Sequence, residues 1–404
     1  MRKLLVSILV ALTAIVPAMY LRLSGAHVDA LAQAGLFGLA ILAAGFLLSW
    51  GAEAAEGQVS AGLILAMVAL VTVLPEYAVD LYYAFMAGRQ PESNYVHYAA
   101  ANMTGANRLL VGVAWPLLVL LNWWRTRTKG IVLGSVNRIE VGFLLLSSLY
   151  AVVILLKNRI DLIDSLVLFA IFFGYLRRVG QIPKVDANKE PEGVGPGAAI
   201  EQLPVAWQWA LMAGLATVAA VVIFLSAEPF AEAMIASGRR LGIDEFLLIQ
   251  WLAPLASEAP AVVIAVLFVV SGRAAGALTT MISDKINQWT LLVGMLPLAI
   301  SVGAGRLSHL PLDARQHEEF FLTAAQSLFG LALLLRLRLE ILAALALGGL
   351  FAVQVALAFL FRNDEARTIQ VLTWMGWAYI FLASAMAIRH RKELVGLAKS
   401  FFGR

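Results

Sequence analysis

Twelve apolar stretches of roughly twenty residues recur along the chain, at about 4–21, 31–50, 59–87, 95–121, 139–156, 160–176, 205–227, 243–271, 274–302, 317–335, 339–361 and 369–388. A helix needs about 20 such residues to cross the hydrocarbon of a bilayer, and it closes its backbone hydrogen bonds internally, as lipid requires. The spacing predicts an all-α polytopic membrane protein of about twelve transmembrane helices. Composition agrees: 61% of residues are hydrophobic and 14% charged, too little polar surface to coat a water-soluble globule of 404 residues. Arg2 and Lys3 ahead of the first stretch imitate a secretory signal, but no small-x-small cleavage site follows, and this segment counts as a retained span.

Charge sets the expected orientation. Lys and Arg concentrate at both termini and in the even-numbered loops, in groups such as Arg125, Arg127, Lys129 and Arg138, or Arg177, Arg178, Lys184 and Lys189. Short basic loops stay on the cytoplasmic side, so both termini are expected there, in a bacterial-type plasma membrane. The net charge of +4 is therefore topology signal, and no nucleic-acid partner is implied. The chain has no cysteine, which excludes disulfides, thiol catalysis and thiolate metal sites. His27, His97, His309, His317 and His390 lack paired metal-ligand spacing.

The longest hydrophilic segment, 177–204, contains K-V-D-A-N-K-E-P-E-G-V-G-P-G and reads as a cytoplasmic linker. It separates a first half, 1–176, from a second, 205–404. Each half holds a long span with a buried Pro and Glu, followed by a polar span containing small residues: 59–121 in the first, 243–302 in the second. Five spans separate the copies, an odd number, so the second enters the membrane from the opposite side. Two inverted-topology repeats are expected.

An ionisable group at the bilayer centre costs about 2.5–3.5 kcal/mol on insertion scales and needs a partner or a purpose. The central candidates are Glu76, Asp80, Arg108, Glu258, Asp284 and Lys285, all within the four spans of the repeat. In V-T-V-L-P-E, residues 71–76, Pro75 leaves the carbonyl of Val71 unpaired beside a carboxylate. Thr72, Glu76 and Asp80 share one helix face. Residues 253–260, A-P-L-A-S-E-A-P, repeat the device: Pro254 and Pro260 free the carbonyls of Gln250 and Ala256 around Ser257 and Glu258. Such oxygen sets suit hard cations. Arg108 does not release its proton and reads as a structural counter-ion.

The partner spans read A-N-M-T-G-A-N-R at 101–108 and T-T-M-I-S-D-K-I-N-Q at 279–288. Together these motifs resemble the alpha-repeats of the sodium/calcium exchanger superfamily, roughly G-T-S-x-P-E on one helix and G-N-x-x-G-S-N-x-x-N on the next. The resemblance covers about 45 residues in each half. It implies that Glu76 and Glu258 are the two central carboxylates, ligands of the transported cation. Asn102 and Thr280 match the first Asn, and Asn107 and Lys285 the Asn of Gly-Ser-Asn. Val71, Val73 and Lys285 depart from the pattern. Lys285, with Glu258 or Asp284 as carboxylate partner, admits three roles: a tethered cation, a proton carrier or a structural charge.

The resemblance implies secondary antiport by alternating access, with cation (Na⁺)/proton exchange favoured because a lysine in the site weakens divalent binding. Na⁺/Ca²⁺ and Ca²⁺/H⁺ exchange are the alternatives, and a channel or transport-incompetent scaffold is a more remote one. No enzyme motif such as H-E-x-x-H occurs, and no cofactor is expected beyond the transported Na⁺, Ca²⁺ or H⁺. The expected partners are the lipid bilayer and small inorganic cations, and no motif speaks to oligomeric state.

Overall fold

The computed structural model of the chain describes residues 2–26, 28–55, 74–181, 196–242 and 245–402. The expected spans fold as helices wherever they are described. These are α1 (Arg2–Ser24), α2 (Ala30–Ala55), α3 (Leu74–Arg89) and α4 (Tyr95–Thr126). Strand β1 (Gly130–Val132), α5 (Arg138–Lys157), β2 (Arg159–Ile160) and α6 (Leu162–Val179) complete the first half. The second begins with a short α7 (Pro196–Glu201), then α8 (Val205–Leu241), α9 (Glu245–Val270) and α10 (Ala274–Ala304). It ends with β3 (Leu310–Pro311), α11 (Ala314–Leu334), β4 (Arg338–Glu340), α12 (Ile341–Leu360), α13 (Glu365–Arg389) and α14 (Arg391–Phe402). Among the described residues, nine helical stretches are long and apolar enough to cross a membrane. Most of the expected linker, 182–195, and the first part of the third span lie outside the described residues.

Two compact units interleave the halves of the sequence. One comprises Met1–Tyr83 and Leu176–Arg273, the other Ala84–Tyr175 and Ala274–Arg404. In the first, α2 runs beside α8, α1 packs on α2, and α9 packs on both α2 and α8. Helix α8 extends to Leu241, well beyond the expected end at 227. Pro229 does not stop it, because Phe230, Ala231, Ala233, Met234 and Ile235 remain buried and carry the helix on. Neighbouring helices can re-satisfy the backbone that a membrane proline frees. The helix ends where Gly242 takes a left-handed φ of 61°, with Arg239 and Arg240 in the last turn to meet the negative end of the dipole.

The second unit shows the repeat directly. Its segments run α4–β1–α5–β2–α6 and α10–β3–α11–β4–α12. Strand β1 pairs antiparallel with β4, Gly130 opposite Glu340, and β2 with β3, Ile160 opposite Leu310. The first strand of each copy therefore pairs with the second strand of the other. Helix contacts obey the same exchange, α4 packing on α11 and α10 on α5. Reciprocal pairing of this kind is what a two-fold relation produces, and it is the relation an inverted repeat requires. Each long helix also contains one π turn, at Leu110–Ala114 in α4 and Gln288–Leu292 in α10. Beyond the expected elements, the amphipathic α14 anchors on α5. The ring of Phe401 meets Phe143 edge-on at 4.8 Å, in space that Gly142 leaves open.

Candidate functional site

In the first unit, the two Pro/Glu segments come together on a glycine. A Cβ added to Gly45 of α2 would lie 2.5 Å from Cγ of Pro260 in α9 and 3.6 Å from Cγ of Pro75 in α3. Only glycine lets both rings approach the α2 backbone so closely. Pro75 immediately precedes Glu76, and Pro260 stands two residues after Glu258, so this convergence sets the heights of the two carboxylates on their helices. Glu76 and Asp80 are fully buried and Glu258 is 6% exposed. Ser257 is also buried, its hydroxyl donating to the carbonyls of Ala253 and Pro254 at 3.3 Å each. Inside α9, Pro254 and Pro260 lack the N–H groups that would bond Gln250 and Ala256. Thr72 and Val71 lie outside the described residues.

The second unit holds the other half of the expected set. Asn102, Asn107, Asp284 and Lys285 are all buried, Lys285 completely. Lys285 Nζ donates to Asn107 Oδ1 at 2.7 Å, reaches the Asn107 carbonyl at 3.4 Å, and lies 4.4 Å from the centre of the Trp289 ring. Asn107 Nδ2 donates back to the Met103 carbonyl at 2.8 Å, which turns its oxygen toward the lysine. Both residues stand three positions ahead of their helix's π turn. A π turn displaces the side chains around it and is frequent at functional sites. Thr280, by contrast, is half-exposed, and its hydroxyl is spent on the Gly276 carbonyl at 3.1 Å.

Arg108 is buried in an ion pair with Glu319 of α11 at 2.5 Å, and its Nε donates to the Thr104 carbonyl. Tyr175 donates to Ser283 at 2.7 Å, and Asn137 to Thr279 at 3.0 Å. Among the described residues, no cluster of three His, Asp or Glu suits a resident metal ion. The first unit thus offers buried carboxylates next to helix prolines, and the second a buried ammonium in a polar helix.

A sequence profile described as sodium/calcium exchanger protein matches residues 27–179 and 211–360, well over half of the chain. The chain belongs to the sodium/calcium exchanger family. Members of this family are transporters, and the exchanger is an integral membrane protein. Among solved structures it is similar to the crystal structure of H⁺/Ca²⁺ exchanger CAX, at 39% identity and a TM-score of 0.91, covering 99% of this chain and 98% of that one. It is also similar to the sodium-calcium exchanger NCX_Mj soaked with 2.5 mM Na⁺ and 10 mM Sr²⁺, at 16% identity and a TM-score of 0.54, covering 81% and 99% of the two chains. That second likeness shows the fold alone. A comparison with curated protein sequences returns no match.

Two polar residues of the exchanger, Glu319 and Glu232, escaped the motif reading, and Gln250 entered it only for its carbonyl. Glu319 stands at the start of α11 next to Glu318, where an acidic pair reads as a helix end. Gln250 is fully buried in α9, ahead of the Pro/Glu segment. Glu232 accepts a hydrogen bond from Tyr82 at 2.8 Å, tying α8 to α3. It falls in the part of α8 expected to be loop, and its four-residue spacing from Glu228 was the signal available.

Proposed function

We propose that the exchanger is a secondary antiporter that moves a cation against protons by alternating access, using Glu76 and Glu258 as shared ligands of both. The observation that carries this reading is the convergence on Gly45 of Pro75 and Pro260, two prolines that each stand within two residues of a buried carboxylate. A carboxylate taken out of water needs either a cation or a proton. One group that alternates between the two couples their movements without further machinery.

Ca²⁺ is the leading cation, supported by the 39% identity to a protein described as an H⁺/Ca²⁺ exchanger. Na⁺ is the second reading, supported by the match of the chain to the sodium/calcium exchanger profile. The test is purified protein in sealed vesicles, with gradients of Ca²⁺, Na⁺, K⁺ and Li⁺ imposed in turn while internal pH is read. The expected result is internal pH change driven by a Ca²⁺ gradient. A response to Na⁺ alone selects the second reading, and no proton movement with any cation rejects both.

A further inference from the structure

Lys285 occupies an unusual place in the second unit. Its equivalent in the other copy of the repeat, counted from the π turn, is Asn107, and the two residues touch. Equivalent residues meet only close to the two-fold axis that relates their copies. There, a long cationic side chain in one copy is received by an amide in the other. Its partners include an amide oxygen at 2.7 Å, a backbone carbonyl at 3.4 Å and the face of an indole 4.4 Å away. Each is an acceptor for positive charge. Oxygen dipoles and an aromatic face are also what a free monovalent cation takes when it leaves water.

Nothing in this arrangement resembles the usual use of a buried lysine for packing. Full burial costs the ammonium its hydration, and a Met of nearly the same length would fill most of the volume without that cost. The polar surroundings are themselves continuous, with Asp284, Asn287, Gln288 and Thr290 all buried on the same stretch of α10. The helix is built to hold charge here.

We propose that the Lys285 ammonium is a built-in monovalent cation, covalently tethered at the axis of the repeat and occupying a position that a free Na⁺ would otherwise fill. This rests on the exchanger reading of the fold and deepens it. The tether removes one free ion from the transport cycle, so exchange proceeds without Na⁺ at this position. Neutralising the lysine should open the position. In Lys285→Asn, the introduced amide oxygen joins Asn107 Oδ1 and the Asn107 carbonyl around the space that the ammonium leaves.

The experiment is calorimetric titration of detergent-purified protein with NaCl against a choline chloride control, counting Na⁺ bound per chain. Lys285→Asn and Lys285→Gln should each bind one more Na⁺ than the wild type, and Lys285→Arg should keep the wild-type count. An unchanged count in both folded neutral variants would overturn the proposal. Should the neutral variants fold poorly, thermal melting in NaCl and in choline chloride decides. Selective recovery by Na⁺ supports a cation position, and aggregation in both salts shows that free Na⁺ does not replace the ammonium and rejects it. Because Na⁺ is counted at equilibrium, the result stands apart from vesicle flux, in which the proton-coupled reading succeeds or fails.

Discussion

Lys285 and Asn107 hold equivalent places in two copies of one fold, and the ammonium of the first donates to the amide oxygen of the second at 2.7 Å. Because both are buried, the asparagine oxygen stands in for water that the lysine has lost. Asn107→Leu removes that acceptor and should destabilise the protein by about 1.5–3 kcal/mol, the usual range for a hydrogen bond to a charged group. Thermal melting in detergent measures it. An unchanged melting temperature would mean that the contact contributes nothing to the fold.

Gly45 is the point on which the two Pro/Glu segments close. Gly45→Ala places a methyl group 2.5 Å from Pro260 Cγ, closer than side chains approach. The helices must shift apart, at about 1–3 kcal/mol for overpacking, and transport should fall because the carboxylates move with their prolines. Gly35→Ala, on the same helix with open space around it, is the control and should behave as wild type. Equal flux in the two variants would separate Gly45 from the site.

The ion pair of Arg108 and Glu319 is sequestered from water, 1% and 2% exposed. Breaking such a pair from one side strands a buried charge at a cost of about 3–5 kcal/mol, while replacing both partners with apolar residues is often neutral. Glu319→Gln should therefore melt well below the wild type, and Arg108→Met combined with Glu319→Met should recover most of the loss. Recovery of stability with unchanged ion selectivity identifies the pair as structural. Changed selectivity in the double variant would place it in the ion path.

Glu76→Gln and Glu258→Gln keep the size of the side chain but neither its charge nor its exchangeable proton. Each should reduce cation-driven proton flux in vesicles to the level of empty vesicles, with insertion and melting behaviour largely kept. Flux with wild-type ion dependence in both variants would exclude these carboxylates as obligatory ligands.

The helices of this chain were legible because lipid allows so few alternatives. Spans recur at the length a bilayer demands, and the buried Glu76, Asp80, Arg108, Glu258, Asp284 and Lys285 stand in the spans of the repeat. Pro75, Glu76, Glu258 and Pro260 could be read as paired devices because proline has a definite effect on the carbonyl four residues earlier. The lysine's amide partner was less legible. The contact with Asn107 depends on the two-fold axis, which sequence reveals only as a count of spans. Glu319 was hidden for a similar reason, since the choice of partner for Arg108 is made by packing between helices far apart in the chain. The end of α8 was misplaced because Pro229 signals a stop locally, while burial of the following turns overrides it. Strands β1 to β4 are two or three residues long and carry no periodicity at all.

Uphill movement is the most direct test of proton-coupled cation exchange. Purified protein is sealed in vesicles with an acidic interior, the membrane potential is clamped with K⁺ and valinomycin, and radioactive Ca²⁺ is supplied outside. Internal Ca²⁺ should rise above the external concentration in proportion to the pH gradient, collapse on adding a protonophore, and fail to rise with Glu258→Gln. Uptake that halts at equal concentrations whatever the pH gradient would contradict antiport and indicate a channel.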